Sequence, residues 1–446
     1  MIKVFVVSLG CSKNHCDLEN MMAILKENGY EITLNDREAD IAIVNTCGFI
    51  QSAKEEAIEN ILNCAELKET GSLKALIVSG CLAQRYKEEL LREFPEIDAV
   101  VGVFDFDEIH SIVKESLEGK RRTYVQKSSL HSFDRMERIQ TTPFYTAYLK
   151  IAEGCDNCCA YCAIPKIRGR FRSRSMESLT REAQKLVDSG VRELILVAQD
   201  TTRYGMDLYG SPKLKELLET LSQIEDLDWI RIHYMYPEMI TEDLLSYIKE
   251  NPKVLNYFDI PIQHINDRIL KRMNRRSNRG QIESLMLRIR QTIPDACIRT
   301  TVIVGFPTET QQEADELEQF IRQIKFDRLG CFPFSREEDT KAYDMEGQLP
   351  EKVKQARYKQ IMAAQQDVMF ENNSREPGKI YDVLVEGYDS NQNVYFGRSY
   401  KDSVDIDGYV IFPSEREIEF GDIVRVRISE AQDYDLIGVL TDEFTE

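Results

Sequence analysis

The chain has 446 residues, with 57 Lys and Arg against 76 Asp and Glu, and a formal charge of −19. That balance excludes a general phosphate-backbone binder, whose affinity rests on cationic side chains, and no apolar run is long enough to cross a bilayer as a helix. Eleven cysteines, an odd number scattered over a chain long enough for about three domains, argue against a secreted disulfide framework. They point to a reducing, cytoplasmic setting with free or metal-bound thiols.

Residues 1–118 alternate short β-rich runs (Val4–Val7, Ile32–Leu34, Ile41–Val44, Leu76–Val78, Ala99–Val101) with helical patterns at Asp17–Asn28, Ala53–Lys68 and Ala83–Phe94. Such alternation predicts a doubly wound parallel sheet. The start, Met1 to Cys11, is too short for a signal peptide, and Val4–Val7 serves as a first strand. Three of the runs lead within a few residues to a cysteine: Cys11, Cys47 and Cys81. In a doubly wound sheet these positions share one edge, beyond the carboxyl ends of the strands, where ligands bind. The three thiols can therefore converge although 36 and 34 residues separate them. Three thiols at one place suit an iron–sulfur cluster with one open iron. Alternatively, each is a small buried residue. Cys16, at a helix start, and Cys64, within a helix, follow no strand and read as non-ligands. The polar stretch 119–143 reads as a linker.

A second α/β series occupies 144–372, with strands expected at Ala147–Ile151, Glu193–Val197, Trp229–His233, Tyr257–Ile260, Ile298–Val304 and Gly330–Phe334, and a closing helix at Glu351–Asn372. Six such units predict an incomplete (β/α)6 barrel with its site on the loops after the strands. The loop after the first strand holds four cysteines within eight residues, and Cys155, Cys159 and Cys162 form C-x3-C-x2-C. Thiolates ligate iron–sulfur cubes, and three of them leave one iron free to bind a small molecule. Structural zinc would need a fourth ligand, and no second cysteine pair lies nearby. Cys158 reads as a non-ligand, and Cys297 and Cys331 as core thiols. Gln199 and Gly305, both at strand ends, are candidate cofactor contacts, although each also reads as a turn residue. Arg168, Arg170, Arg172 and Arg174 could bind a carboxylate or face solvent.

After the boundary signal at 372–378, residues 373–446 carry five short β-rich runs and predict a small all-β, OB-like barrel. Residues 371–446 hold 18 Asp or Glu and 7 Lys or Arg, a net of −11. A surface of that sign repels RNA and attracts a basic protein.

The cysteine loop, with aromatic Tyr161 before its last cysteine, resembles that of radical S-adenosylmethionine enzymes. Gly10-Cys11-Ser12-Lys13-Asn14, Asn45-Thr46-Cys47-Gly48-Phe49-Ile50, Gly80-Cys81-Leu82-Ala83-Gln84-Arg85-Tyr86 and Lys150-Ile151-Ala152-Glu153-Gly154-Cys155, continued by Ile164–Arg174, together resemble the radical S-adenosylmethionine methylthiotransferase family over nearly the whole chain. The C-terminal module is similar to a TRAM domain. The resemblance implies two 4Fe–4S clusters, one on Cys155, Cys159 and Cys162 that cleaves S-adenosylmethionine, and an auxiliary one on Cys11, Cys47 and Cys81 that delivers sulfur. It further implies two S-adenosylmethionine molecules per turnover and an electron donor. The variants at Lys13-Asn14 and Cys47–Ile50, with the block Ile260–Asp267, point to the branch that modifies an aspartate of ribosomal protein S12. A tRNA adenosine methylthiotransferase is the alternative within the family, and an iron–sulfur electron carrier the one outside it.

Overall fold

Runs of branched apolar residues flanked by Gly, Asn and Ser form the N-terminal sheet. The computed structural model describes residues 1–71, 73–126 and 137–442. Strands β1 (Lys3–Ser8), β2 (Glu31–Thr33), β3 (Ile41–Thr46), β4 (Ala75–Gly80), β5 (Ala99–Val101) and β6 (Arg122–Tyr124) lie in the order β2-β1-β3-β4-β5-β6, and every adjacent pair is parallel. Every residue of β3 and β4 is buried because helices cover both faces. Helix α1 (Ser12–Glu27) packs Leu18, Met21, Met22 and Leu25 on one face, and α2 (Gln51–Thr70) packs Ala57, Ile61, Cys64 and Ala65 on the other. The helix expected over Ala83–Phe94 is split. α3 (Cys81–Tyr86) ends at Lys87, whose φ of +47° interrupts the helix before Glu88–Glu93. The stretch expected to be a linker supplies β6 and a buried Arg138 paired with Glu182 (3.2 Å), while its residues 127–136 lie outside the described residues.

The second frame holds β7 (Thr146–Lys150), β8 (Glu193–Val197), β9 (Trp229–Ile232), β10 (Tyr257–Asp259), β11 (Cys297–Val304) and β12 (Arg328–Pro333). They pair in parallel as β9-β8-β7 and β10-β11-β12, and the bond from Met235 N to Asp259 O (2.8 Å) joins the two halves. Among the described residues no pairing links β7 to β12, so the six strands form an open arc around one apolar core. The helix Glu351–Asn373 packs Ile361 into that core.

Strands β13 (Ile380–Asp389), β14 (Val394–Arg398), β15 (Val410–Phe412), β16 (Ile423–Gln432) and β17 (Asp435–Leu440) close into a small barrel with its own core. Its segment 398–407 reaches the amino-terminal ends of the arc strands. There Arg398 meets Glu193 (2.6 Å), Asp402 meets Arg328 (2.6 Å), and Tyr257 Oη donates to Asp407 (2.7 Å). No helix among the described residues is long and apolar enough to cross a membrane.

Candidate active site

The register of the N-terminal sheet places Ser8 beside Asn45, and Thr46 beside Gly80. Cys11, Cys47 and Cys81 therefore leave the sheet at one edge, Cys11 as the N-cap of α1 and Cys81 as the first residue of α3. Glycine permits the approach. A Cβ on Gly10 would stand 2.7 Å from Cys47 Cβ, and one on Gly48 would stand 2.8 Å from the Leu82 backbone. Buried Asn14 stitches the turns, donating to Leu9 O (2.8 Å) and Thr46 O (3.3 Å) while its own carbonyl accepts from Asn45 Nδ2 (2.7 Å). Burial, with Cys81 and Cys11 close by, pushes the Cys47 thiol up to about 12. Burial acts most strongly on Cys11 too, but Lys13, Arg168 and the first N–H groups of α1 outweigh it and bring that thiol below its ordinary value.

The loop after β7 begins at Gly154, whose φ is +75° and whose missing side chain lets the carbonyl of Arg170 come close. Cys155 N donates to Gly169 O (3.1 Å), and Cys162 N donates to Cys159 O (3.1 Å). Cys159 Sγ lies 3.7 Å from Tyr236 Oη and 3.9 Å from Arg275 Nη1. Burial, then the nearby Cys159, pushes Cys155 up to about 12 and Cys162 higher still. Several thiols crowded together hold their protons because each thiolate would repel the next; a bound cation reverses that preference. Among the described residues no three Cys, His, Asp or Glu groups already stand in coordinating geometry. Two thiol trios, with backbone N–H groups aimed at them, nevertheless suit iron–sulfur ligation.

A buried charge cluster joins the two sites. Arg168 Nη1 donates to Asp17 Oδ2 (2.9 Å) of α1 and to Glu153 Oε2 (2.7 Å), Arg168 Nη2 donates to Asn14 Oδ1 (3.1 Å), and Lys150 Nζ contacts both carboxylates. Glu153 directly precedes Gly154-Cys155, and its other oxygen accepts from Gln199 Nε2 (3.0 Å) at the end of β8. Gln199 Oε1 is buried with no hydrogen-bond partner, an acceptor without a donor. Gly305, at the end of β11, has φ +76°, and a Cβ there would meet Lys354 Cγ at 2.5 Å, so packing against the helix Glu351–Asn373 already accounts for the glycine. A groove of about 890 Å³ lies at the opposite end of the arc, beside Trp229, Asp295 and Tyr400, away from the two cysteine trios.

Three family profiles match in series: Uncharacterized protein family UPF0004 over 3–102, the Radical SAM superfamily over 149–321 and the TRAM domain over 378–440. A relative from Thermoanaerobacter described as "Ribosomal protein uS12 methylthiotransferase RimO" is 48% identical over 438 residues, covering 98% of this chain and 100% of that one. RimO proteins from Clostridioides difficile (49%) and Geobacter sulfurreducens (50%) each share 98% of both chains with it. The chain belongs to the RimO family. Among solved structures, the radical S-adenosylmethionine methyltransferase TsrM from Kitasatospora setae superposes with a TM-score of 0.55 at 13% identity, covering 74% of this chain and 72% of that one, which is a likeness of fold.

The other cysteines of this RimO-family chain sit apart. Cys16 is buried against the Tyr148 carbonyl, Cys64 and Cys331 lie in apolar cores, Cys297 donates to Lys401 O (3.3 Å), and Cys158 is exposed with φ +52°. The four arginines after the RimO cysteine loop divide. The side chain of Arg170 is 89% exposed, Arg172 stacks over Phe104, and Arg174 pairs with Glu182 (2.6 Å). Only Arg168 reaches the space between the cysteine trios. Sequence reasoning also missed Asp17, Lys150 and Glu153; their signal was charge placed inside otherwise apolar strand and helix patterns.

Proposed function

We propose that this chain is a radical S-adenosylmethionine methylthiotransferase that adds a methylthio group to the β-carbon of an aspartate of ribosomal protein uS12. The carrying observation is the pair of cysteine trios on two separate frames, locked face to face by the Asp17–Lys150–Glu153–Arg168 cluster. Cys155, Cys159 and Cys162 would hold the 4Fe–4S cluster that binds S-adenosylmethionine, and Cys11, Cys47 and Cys81 the auxiliary one. When bound, these groups supply the radical and the sulfur that acid–base side chains cannot. The chain's own residues fix the distance between the two centres and exclude water. Gln199 offers an unmet acceptor to S-adenosylmethionine, and Gly305 borders the same mouth. Two S-adenosylmethionine molecules per turnover, an external electron donor and a cytoplasmic setting complete this reading, with units divided at 118, 143 and 372.

The C-terminal module favours a protein substrate over tRNA. Of its seven cations Arg398 and Lys401 are buried, and so are the side chains of Glu376, Glu386, Asp402 and Asp407, so the acid excess is trimmed but persists on the outer face. Such a face speeds encounter with a basic ribosomal protein and repels RNA. The test is incubation of reconstituted, reduced protein with S-adenosylmethionine and either uS12 or tRNA, followed by mass spectrometry. A methylthio adduct on a uS12 aspartate is expected. An adduct on tRNA alone would replace this reading with the adenosine-modifying one.

A further inference from the structure

Among the described residues five lysines are buried, and four of them have a carboxylate. Lys54 pairs with Glu337 (2.9 Å), Lys150 with Asp17 and Glu153, Lys354 with Glu351 (3.4 Å) and Lys401 with Glu376 (2.8 Å). Lys13 is the exception. It is 7% exposed, and among the described residues no carboxylate lies within ion-pair distance of it. Its ammonium lies 3.6 Å over the centre of the Tyr234 ring. Inside the chain its ammonium has the Tyr234 ring face and the Cys11 thiol, which it helps to hold below its ordinary value, but not the carboxylate that the other buried lysines have. Neighbouring carboxylates are already engaged: Asp17 and Glu153 by Lys150 and Arg168, and Asp259 by Arg299 (3.2 Å) and Tyr234 N (3.0 Å).

The position of this cation is specific. Lys13 stands two residues after Cys11 in the first turn of α1. Its aromatic partner, Tyr234, follows β9, and two residues further Tyr236 Oη contacts Cys159 Sγ (3.7 Å). One short loop thus touches the surroundings of both cysteine trios. Tyr234 is fixed there with φ +57°, its carbonyl accepting from Thr201 N (3.2 Å) and Thr201 Oγ1 (3.3 Å). The ammonium is therefore preorganised at the mouth of the arc, between the two centres.

We propose that Lys13 is the receptor for the carboxylate of the side chain that becomes modified, and so selects aspartate as the substrate residue. The inference rests on the function proposed above and names the group that reads the substrate. In aspartate the β-carbon is bonded directly to the carboxyl carbon, so anchoring the carboxylate fixes the reacting C–H within one bond. An adenine base has no anion at that distance, and a receptor built for a charge discriminates strongly against a group that lacks it.

The test is equilibrium binding of labelled uS12, and of uS12 with the modified aspartate changed to asparagine, to the full-length chain. It is read by fluorescence anisotropy on cluster-free and on reconstituted protein, so that iron loading does not decide the result. The wild type is expected to prefer the aspartate form by about tenfold or more. Lys13→Gln should bring the ratio close to one, and Lys13→Arg should keep a preference. A wild-type ratio near one overturns the proposal, as does a wild-type ratio retained in Lys13→Gln. That second result would assign Lys13 to neutralising the neighbouring thiolates. Absence of any wild-type affinity for uS12 would instead remove the proposed function itself, and this inference with it.

Discussion

Replacing Glu193 by Gln should loosen the C-terminal module from the arc. Glu193 is fully buried, with its oxygens held by Arg231 (2.9 Å) and by Arg398 (2.6 Å) of the module. Burial alone would push the carboxyl up, but the guanidiniums of Arg398 and Arg231 outweigh it and hold the group at about 2 instead of 4.5. At 1.36 kcal/mol per decade the difference corresponds to about 3 kcal/mol, which agrees with the roughly 3–5 kcal/mol lost when one member of a buried pair is removed. Gln keeps the shape and leaves two guanidiniums facing each other. The single tryptophan, Trp229, packs with Tyr145, Tyr257 and the module's Leu384, so its fluorescence reports on this interface. In urea titrations of cluster-free protein, with a slope of about 2 kcal/mol per molar, the Trp229 midpoint should fall by about 1–2 M. Because the folded carboxyl is depressed, its contribution is complete above 4.5 and is lost as pH falls toward 2. The gap between wild type and Glu193→Gln should therefore close over that window. A midpoint lowered by less than about 0.3 M, or a gap that does not narrow in acid, refutes the reasoning. Because Arg398 also pairs with the buried Glu386 (2.8 Å), the change that leaves no charge unpaired is Glu193→Leu, Arg231→Met, Arg398→Met and Glu386→Gln together, and it should recover most of the loss.

Reconstituted protein should bind about eight irons. Replacing Cys11, Cys47 and Cys81 by Ala, or Cys155, Cys159 and Cys162, should halve that number by iron assay, whereas Cys158→Ser should keep it; full iron in the first variant would refute the convergence. Gln199→Ala removes the acceptor that lacks a donor, and should weaken S-adenosylmethionine binding about two- to tenfold in equilibrium dialysis. An unchanged Kd would confine Gln199 to its bond with Glu153.

The parts readable in advance are those that periodicity and topology dictate. Cys11, Cys47 and Cys81 were legible because a parallel doubly wound sheet sends every strand end to one edge, and C-x3-C-x2-C was legible because its spacing is local. Arg168 was not. It alternates with Arg170, Arg172 and Arg174 in an irregular loop, and its partner Asp17 lies 151 residues away. β6 was missed because Arg122-Thr123-Tyr124 is short and polar, joining the sheet through backbone pairing with β5. Lys87 reads as an ordinary helical residue, yet its φ of +47° ends α3 and starts a second short helix at Glu88. Gly305 stands out in the sequence only by its place at a strand end, and the proximity of Lys354, which explains the glycine, depends on a helix packed from far along the chain.

The segment 398–407 has a consequence for how the chain matures on the ribosome. Arg231, Arg299 and Arg328 are synthesised well before Arg398, Asp402 and Asp407, which later meet Glu193, Arg328 (2.6 Å) and Arg299 (3.7 Å for Asp407). Until those last residues emerge, the floor of the arc carries an excess of positive charge and leaves Trp229, Leu255 and Tyr257 without their final cover. A nascent or prematurely ended product presents that unfinished floor to chaperones and proteases, the hazard usual for multidomain chains. Synthesis of the C-terminal module thus completes the frame made before it, because the floor of the arc gains its cover and its counter-charges only from residues translated later.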